Sequence, residues 1–389
     1  MEEIPHFCPI CGQPGPLVYS MRDSTPEAVV QKLLVLYVLI GLCACVATPA
    51  PTRAPTAARL PALPTPRPTP RPTPAPDPIR LADARLARTL NLGNALEAPV
   101  EGAWGITLQA GYFQAIAAAG FSAVRLPVNF EAHATTEPPY RIDPAFLERV
   151  DWALRTANTD GLVVVLDMHN YQTMMDTPAD ETPRFLALWS QVANRYRSYP
   201  DQAVYFELLN EPNGNLDGPA WNAIFAQALA LVRRENPVRP VIVGPSNWNG
   251  PDTLPDLVLP ADPNLIVTFH YYLPFQFTHQ GASWIDGSDA WLGTTWDASA
   301  DQTAALDRDF DAVAIWAQAQ ARPVFLGEFG SNYAADQASR LRWTSAVARA
   351  AERRGFAWGY WEFGSDFGLY DTASDRWDTD LVHALIPLP

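Results

Sequence analysis

Ala203-Val-Tyr-Phe-Glu-Leu-Leu-Asn-Glu-Pro212 is the stretch around which the chain is organised. Its apolar and aromatic composition is that of a strand buried on both faces, as in a parallel sheet. Pro212 has no N–H to give to a ladder, so the strand stops at Asn210-Glu211-Pro212. The two acids differ in position. Glu207 lies inside the strand, where it needs a structural partner. Glu211 sits at the strand's mouth and is a candidate catalytic acid. Taken alone, the tripeptide is also compatible with a solvated loop acid, so the neighbouring stretches have to decide.

Those neighbours alternate between strands and helices. Short apolar runs occur at 90–96, 122–127, 162–169, 203–209, 241–244, 265–270, 323–328 and 357–361. Helical patterns lie between them at 107–120, 143–160, 182–199, 219–235, 301–321 and 334–355, with a weak one at 253–259 and a short closing one at 379–385. Asp143 and Pro144 mark one helix start, and Gly120 and Gly161 mark two helix ends. Eight strands alternating with helices over about 310 residues point to an α/β chain folded as a (β/α)8 barrel, which takes about 250 residues plus insertions. A doubly wound open sheet is the alternative. No Gly-x-Gly-x-x-Gly follows the first strand, which argues against it.

The chain has 389 residues, 48% hydrophobic and 11% aromatic, enough for a substantial core. Its formal charge is −15. Residues 1–80 are net positive by two, so the remainder carries −17. A globule that acidic is a poor partner for nucleic acid, which needs clustered Lys and Arg; it suits a neutral substrate. All four cysteines precede residue 46, so the large domain has no disulfide, thiolate metal site or cysteine nucleophile.

The first eighty residues read differently. Cys8-Pro-Ile-Cys11 resembles one knuckle of a zinc ribbon, but four ligands are needed, and even with His6 the set is incomplete. Residues 33–47 form an apolar run of 15 after Lys32. That is short of the about 20 residues of a bilayer span and fits a signal-peptide core. Leu42-Cys-Ala-Cys45 resembles a bacterial lipoprotein box with Cys45 as the lipidated residue; free secretion is the other possibility. Residues 49–78 contain twelve prolines and form an extended linker of up to about 90 Å. The expected division is a leader at 1–48, a linker at 49–80 and a catalytic domain at 81–389.

In a barrel the chemistry sits where the strands end. The polar residues at those exits are Asn94 and Glu97, Arg125, His169, Asn210 and Glu211, Trp248, His270 and Tyr272, Glu328, and Trp361. Each has a plain structural explanation: a paired core arginine, satisfied buried histidines, a solvated rim acid, a core tryptophan. Their recurrence at the same end of nearly every strand has none. Glu211 and Glu328, on strands four and seven, can face each other across the mouth. Glycoside hydrolysis needs one protonated and one ionised carboxyl in that arrangement. Arg125 and Tyr272 would keep Glu328 ionised, while apolar walls and the partner's charge would keep Glu211 protonated.

Asn91-Leu-Gly-Asn-Ala-Leu-Glu-Ala-Pro99, Asn210-Glu211-Pro212, His270-Tyr-Tyr272, Phe277-Thr-His-Gln-Gly281, Gly327-Glu-Phe-Gly330 and Trp361-Glu-Phe363 together resemble glycoside hydrolase family 5, most closely its bacterial endo-β-1,4-glucanase branch. The resemblance covers about residues 81–389. It implies a retaining β-glucan hydrolase with Glu211 as acid/base and Glu328 as nucleophile. It further implies that Asn210 binds the sugar 2-hydroxyl, that Arg125 and Tyr272 tune Glu328, that His169 and His270 line the sugar site, and that Trp361 stacks under the sugar. Asn94, Glu97, His279 and Trp284 would extend the cleft. The branch often has a second His after His169; here it is Asn170, which puts one sugar contact in doubt. A β-mannanase or mixed glucanase/mannanase stays open, because loops set sugar preference. No metal or organic cofactor is called for. The expected partner is a polysaccharide, with any membrane attachment through the N-terminus and a monomeric catalytic domain.

Overall fold

The computed structural model describes residues 77–388. Eight parallel strands close into a barrel: β1 Arg88–Asn91, β2 Ala123–Val128, β3 Val163–Met168, β4 Val204–Glu207, β5 Val241–Val243, β6 Leu265–His270, β7 Val324–Phe329 and β8 Ala357–Tyr360. β1 pairs with both β2 and β8, which closes the ring. The main outer helices are α2 Ala110–Ala118, α3 Pro144–Thr159, α5 Pro178–Tyr196, α6 Gly218–Glu235, α8 Ala300–Gln320, α9 Gln337–Arg353 and α10 Thr379–Leu385; α4 Gln172–Asp176 and α7 Phe275–Thr278 are short. The barrel inferred from the sequence is therefore the observed fold. The knuckle at Cys8 and Cys11, the apolar run, Cys45 and the proline linker up to residue 76 lie outside the described residues. Among the described residues, no helix is long and apolar enough to cross a membrane.

Strand alternation sorts side chains into two sets. Val164, Leu166, Val204, Phe206, Val241 and Val243 join the large apolar layer beneath the helices. Val163, Val165, Tyr205, Ile242, Ile266 and Phe325 form a second cluster inside the barrel. The next interior layer toward the strand exits is polar: Asn91, Arg125, Asp167 and Glu207, all fully buried. A parallel ladder puts Asn91 opposite Arg125 and Asp167 opposite Glu207, so the register itself brings these groups together.

The fold starts earlier than the expected boundary at residue 81. Helix α1, Pro78–Ala84, has Asp77 as its N-cap, accepting from Ile79 N–H, and Pro78 in its first turn. Ile79 and Ala82, with Leu86 just beyond, join the interior cluster, and Tyr205 Oη donates to Ala82 O at 3.1 Å. Thus α1 plugs the end of the barrel opposite the strand exits. Pro78 reads as linker because it continues the proline run, yet proline is well placed at a helix start.

Asp83 in this plug is buried, and its Oδ1 has no hydrogen-bond partner. Burial pushes its carboxyl up to about 8, against the pull of Arg80. The protonated form is therefore the one the fold favours. Stability contributed by that proton is full below about pH 4 and is lost as pH rises toward 8. Asp83→Asn is expected to raise Tm at pH 7 by about 5 °C and to leave it nearly unchanged at pH 4, as followed by calorimetry. An equal shift at both pH values would refute the protonation argument.

Two further departures have local causes. The helix expected at 182–199 runs from Pro178, a turn earlier, with Asp180 and Glu181 in its first turn, where acids complement the helix dipole. Pro183 is accommodated inside it. The segment after β8 contains a small hairpin not anticipated from sequence, β9 Tyr370–Asp371 and β10 Arg376–Trp377.

Candidate active site

Arg125 is the centre of the site. Its Nε and Nη2 donate to both oxygens of Glu207, at 2.7 and 2.9 Å. Nη2 also reaches Asn210 Oδ1 at 2.8 Å and Asp167 Oδ2 at 3.0 Å. Nη1 donates to Asn91 Oδ1 at 3.0 Å and to Glu328 Oε1 at 2.6 Å. Glu207 is therefore the structural acid of the opening stretch: its bidentate pair fixes the guanidinium plane. Burial alone would disfavour the guanidinium charge, but Asp167, Glu207 and Glu328 together hold its pKa well above the usual value.

Glu328, at the end of β7, has its second oxygen on Tyr272 Oη at 2.9 Å. Burial and the neighbouring carboxylates push the phenol pKa well up, so Tyr272 stays a donor. Glu211 stands across the mouth. Its backbone adopts a left-handed φ of 45°, which turns the side chain out of the strand's line. Its side chain is 24% exposed, against 7% for Glu328. Glu211 Oε1 lies 2.7 Å from His270 Nδ1, and His270 Nδ1 lies 3.6 Å from Glu328 Oε2. The facing ligand atoms of Glu211, His270 and Glu328 are all within 4.8 Å of one another. Such a spacing would also admit a divalent cation. Burial pushes Glu211 up to about 7, with Arg125 opposing and Glu207 assisting.

Both histidines are neutral, because burial pushes His169 down to about 3 and His270 to about 4. His169 Nδ1 is 2.6 Å from Asp167 Oδ2, so that nitrogen carries the proton. Its Nε2 then accepts from Asn210 Nδ2 at 3.2 Å. Asn210 is thus held at its carbonyl by Arg125 and at its amide by His169, with one N–H left for a ligand. The His169 ring stacks near-parallel with Trp361 at 5.7 Å. Gly93 lies against this indole: a Cβ there would come within 2.9 Å of the ring, so only glycine lets β1's exit approach it.

The remaining candidates divide. His279 is packed between Phe275 at 4.0 Å and Tyr272 at 5.0 Å, and Trp284 lies 6.0 Å from Phe367; both belong to the wall next to Tyr272. Asn94 points along the rim and donates to Ser365 Oγ at 2.7 Å. Asn170 donates to the Glu97 carbonyl at 3.2 Å, tying the β3 exit to the β1 loop. Glu97 does not line an open cleft as expected. It is buried and accepts from the backbone N–H groups of Asn94 and Ala95, so it shapes the loop that presents Asn94.

Asn91, Asp167 and Asn249 are absent from the sequence-derived site. Asn249 Nδ2 lies 3.3 Å from His270 Nε2. Asn91 and Asp167 carried a legible signal: each is a polar residue in a strand buried on both faces. Trp248, at the β5 exit, is 55% exposed and sits between Asn247 and Asn249 in a run of three left-handed residues. That conformation turns its indole to solvent beside Pro212, whose carbonyl accepts the Trp248 N–H at 3.2 Å.

Two carboxyls of unequal environment, facing each other at a barrel mouth beside an aromatic platform, form the apparatus needed to cleave a glycosidic bond. The chain belongs to glycosyl hydrolase family 5: the cellulase profile of that family matches residues 92–367. Endoglucanase H of Acetivibrio thermocellus is 36% identical over 301 residues, covering 76% of this chain and 32% of that protein. Endoglucanase B of Clostridium cellulovorans is 27% identical over 316 residues, covering 74% of this chain and 70% of that one. The solved structure of Thermotoga maritima Cel5A in complex with cellobiose aligns with TM-score 0.78 and 44% identity, over 79% of this chain and 99% of that chain. The match thus spans about a third of Endoglucanase H and nearly all of the Cel5A chain.

Proposed function

We propose that the chain is a retaining endo-β-1,4-glucanase, cutting internal bonds of cellulose or a related β-glucan by double displacement. The observation that carries this is the placement of Glu328, with one oxygen on Arg125 and the other on Tyr272, within 4.8 Å of a Glu211 oxygen across the mouth. Retention requires carboxyls about 5–5.5 Å apart, and inversion requires a wider gap that admits a water.

Glu211 donates its proton to the glycosidic oxygen as Glu328 attacks the anomeric carbon. The C1–O bond breaks, the aglycone leaves as an alcohol, and a glycosyl ester forms on Glu328. Glu211, now a carboxylate, takes a proton from water; the hydroxide attacks C1, and the ester bond breaks to restore Glu328. In this reading the free N–H of Asn210 meets the sugar 2-hydroxyl, and Trp361 stacks under the sugar face.

Glu211 must begin protonated, and its raised pKa means the proton is held below about pH 7 and lost above it. The kcat/KM for an aryl β-cellobioside is expected to fall as pH rises through about 7. In Glu211→Gln that alkaline limb should vanish from the residual activity; a limb that persists would belong to another group.

Reducing-end release on carboxymethylcellulose, mixed-linkage glucan, glucomannan, mannan and xylan tests the activity, with Glu328→Gln as control. No release on any polymer sinks the proposal. The first anomer seen by NMR tests retention. A mixed glucanase/mannanase is the second reading, because the 44% identical Cel5A was also solved with mannotriose; release from mannan alone would replace the glucanase assignment. We further propose that the protein is exported and tethered through Cys45, which mass measurement of a lipid on that residue would test.

A further inference from the structure

His270 stands between the two facing carboxyls, and the nitrogen that carries its proton governs where Glu211 can keep its own. The ring is neutral, because burial pushes it down to about 4, so one nitrogen donates and the other accepts. Nδ1 lies 2.7 Å from Glu211 Oε1 and 3.6 Å from Glu328 Oε2. Nε2 lies 3.3 Å from Asn249 Nδ2, its one hydrogen-bonding neighbour among the described residues. An amide N–H can only donate, so this contact requires a bare Nε2 and places the proton on Nδ1. His270 then donates to Glu211 instead of accepting from it.

The loop after β5 is shaped for this contact. Asn249 is fully buried, although it belongs to a strand exit, and its backbone is left-handed at φ 53°, which asparagine tolerates better than most residues. Its carbonyl accepts the His270 N–H at 2.9 Å, so backbone and side chain hold the same partner. Gly244, one residue past β5, makes the room: a Cβ there would overlap the Asn249 carboxamide. Asn249 Oδ1 has no hydrogen-bond partner among the described residues, so no other bond accounts for the amide's position. The opposite orientation of the amide would set Oδ1 against Nε2 and demand the other tautomer. That would leave a bare Nδ1 facing Glu328, which the catalytic reading requires ionised.

We propose that Asn249 is a positioning residue for the acid step: by fixing the His270 tautomer it keeps the Glu211 proton on Oε2, the oxygen that serves the glycosidic bond. The inference rests on the catalytic reading above. With Oε1 accepting from Nδ1–H, the proton of Glu211 sits on Oε2. It passes to the glycosidic oxygen as the C1–O bond breaks, and the electron pair of the O–H bond stays on Glu211. The new carboxylate keeps its bond from Nδ1–H, a charge-assisted one that stabilises it until water arrives. Without Asn249 the ring can take the other tautomer, Oε1–H then donates to Nδ1, and the proton points away from the substrate.

The test compares two substrates. Phenyl β-cellobioside needs a proton on its leaving oxygen, whereas dinitrophenyl β-cellobioside expels a stable phenolate without one. Asn249→Leu keeps the approximate shape and removes the donor. Its kcat/KM is expected to fall about five- to tenfold on the phenyl substrate, the worth of one hydrogen bond, and to match the wild type on the dinitrophenyl substrate. Asn249→Gly, which accepts the left-handed backbone, should split the substrates in the same direction and serves if Asn249→Leu does not fold. Nitrogen NMR with ring-labelled histidine, assigned against His270→Gln, should show Nδ1 protonated and Nε2 bare in the wild type, and a gain of the other tautomer in the variants. A wild-type ring protonated at Nε2, no loss on the phenyl substrate in folded variants, or an equal loss on both substrates overturns the assignment. A wild type inactive on both substrates sinks the catalytic reading, and the inference with it.

Discussion

Glu328→Gln is expected to lower kcat on polymer by at least about 10³-fold with the fold retained. The amide is isosteric, so Arg125 Nη1 and Tyr272 Oη keep a partner of the same shape, while the attacking lone pair is lost. Reducing-end assay against the wild type measures the drop, and circular dichroism checks the fold. Azide gives the sharper result. In Glu328→Ala, azide can enter the space of the carboxylate, attack C1 of an aryl cellobioside and expel the phenol. The product should be the α-glycosyl azide, from a single inversion. Recovery of the β-azide would exchange the roles of Glu328 and Glu211.

Arg125→Met should abolish activity and destabilise the barrel together. The guanidinium is the shared partner of Asp167, Glu207 and Glu328, all three of them buried. Removing one side of a buried ion-paired network leaves uncompensated charge, at a cost of about 3–5 kcal/mol. For a domain of this size that is a fall in Tm of about 5–8 °C. The sign of the pH dependence is definite. Burial already raises Asp167 to about 7 and raises Glu207, and loss of Arg125 removes the main opposing influence on both. Raised carboxyls stabilise when protonated, so the deficit should shrink as pH falls below neutrality and grow above it. A Tm deficit that does not change between pH 5 and pH 8 would contradict this account.

The eight strands were legible because buried parallel strands are continuous apolar runs; 265–270 matches β6 residue for residue, and 379–385 matches α10. The facing carboxyls Glu211 and Glu328 were legible because acids at the ends of such runs are conspicuous. What escaped detection depended on three-dimensional register. Asp167 interrupts Val163-Val-Val-Leu166, yet only the barrel shows that Asp167, Glu207 and Asn91 converge on one guanidinium. Glu97 reads as a cleft acid because it follows a strand exit, but the β1 loop folds back and its own backbone amides claim the carboxylate. The β9–β10 hairpin has paired strands of two residues each, too short for any periodicity to register.

The plug α1 bears on the order in which the barrel can assemble. Ile79 and Leu86 are among the first of the described residues to be synthesised, yet much of their apolar surroundings, Ile242, Ile266, Phe325 and Ala357, comes from the second half of the chain. The seam between β1 and β8 has the same property. Closure and plugging are therefore long-range events that must wait for the last strand, and such contacts slow folding. Until then the early strands and α1 expose apolar surface together, which makes a nascent chain stalled before β8 the state most prone to aggregate.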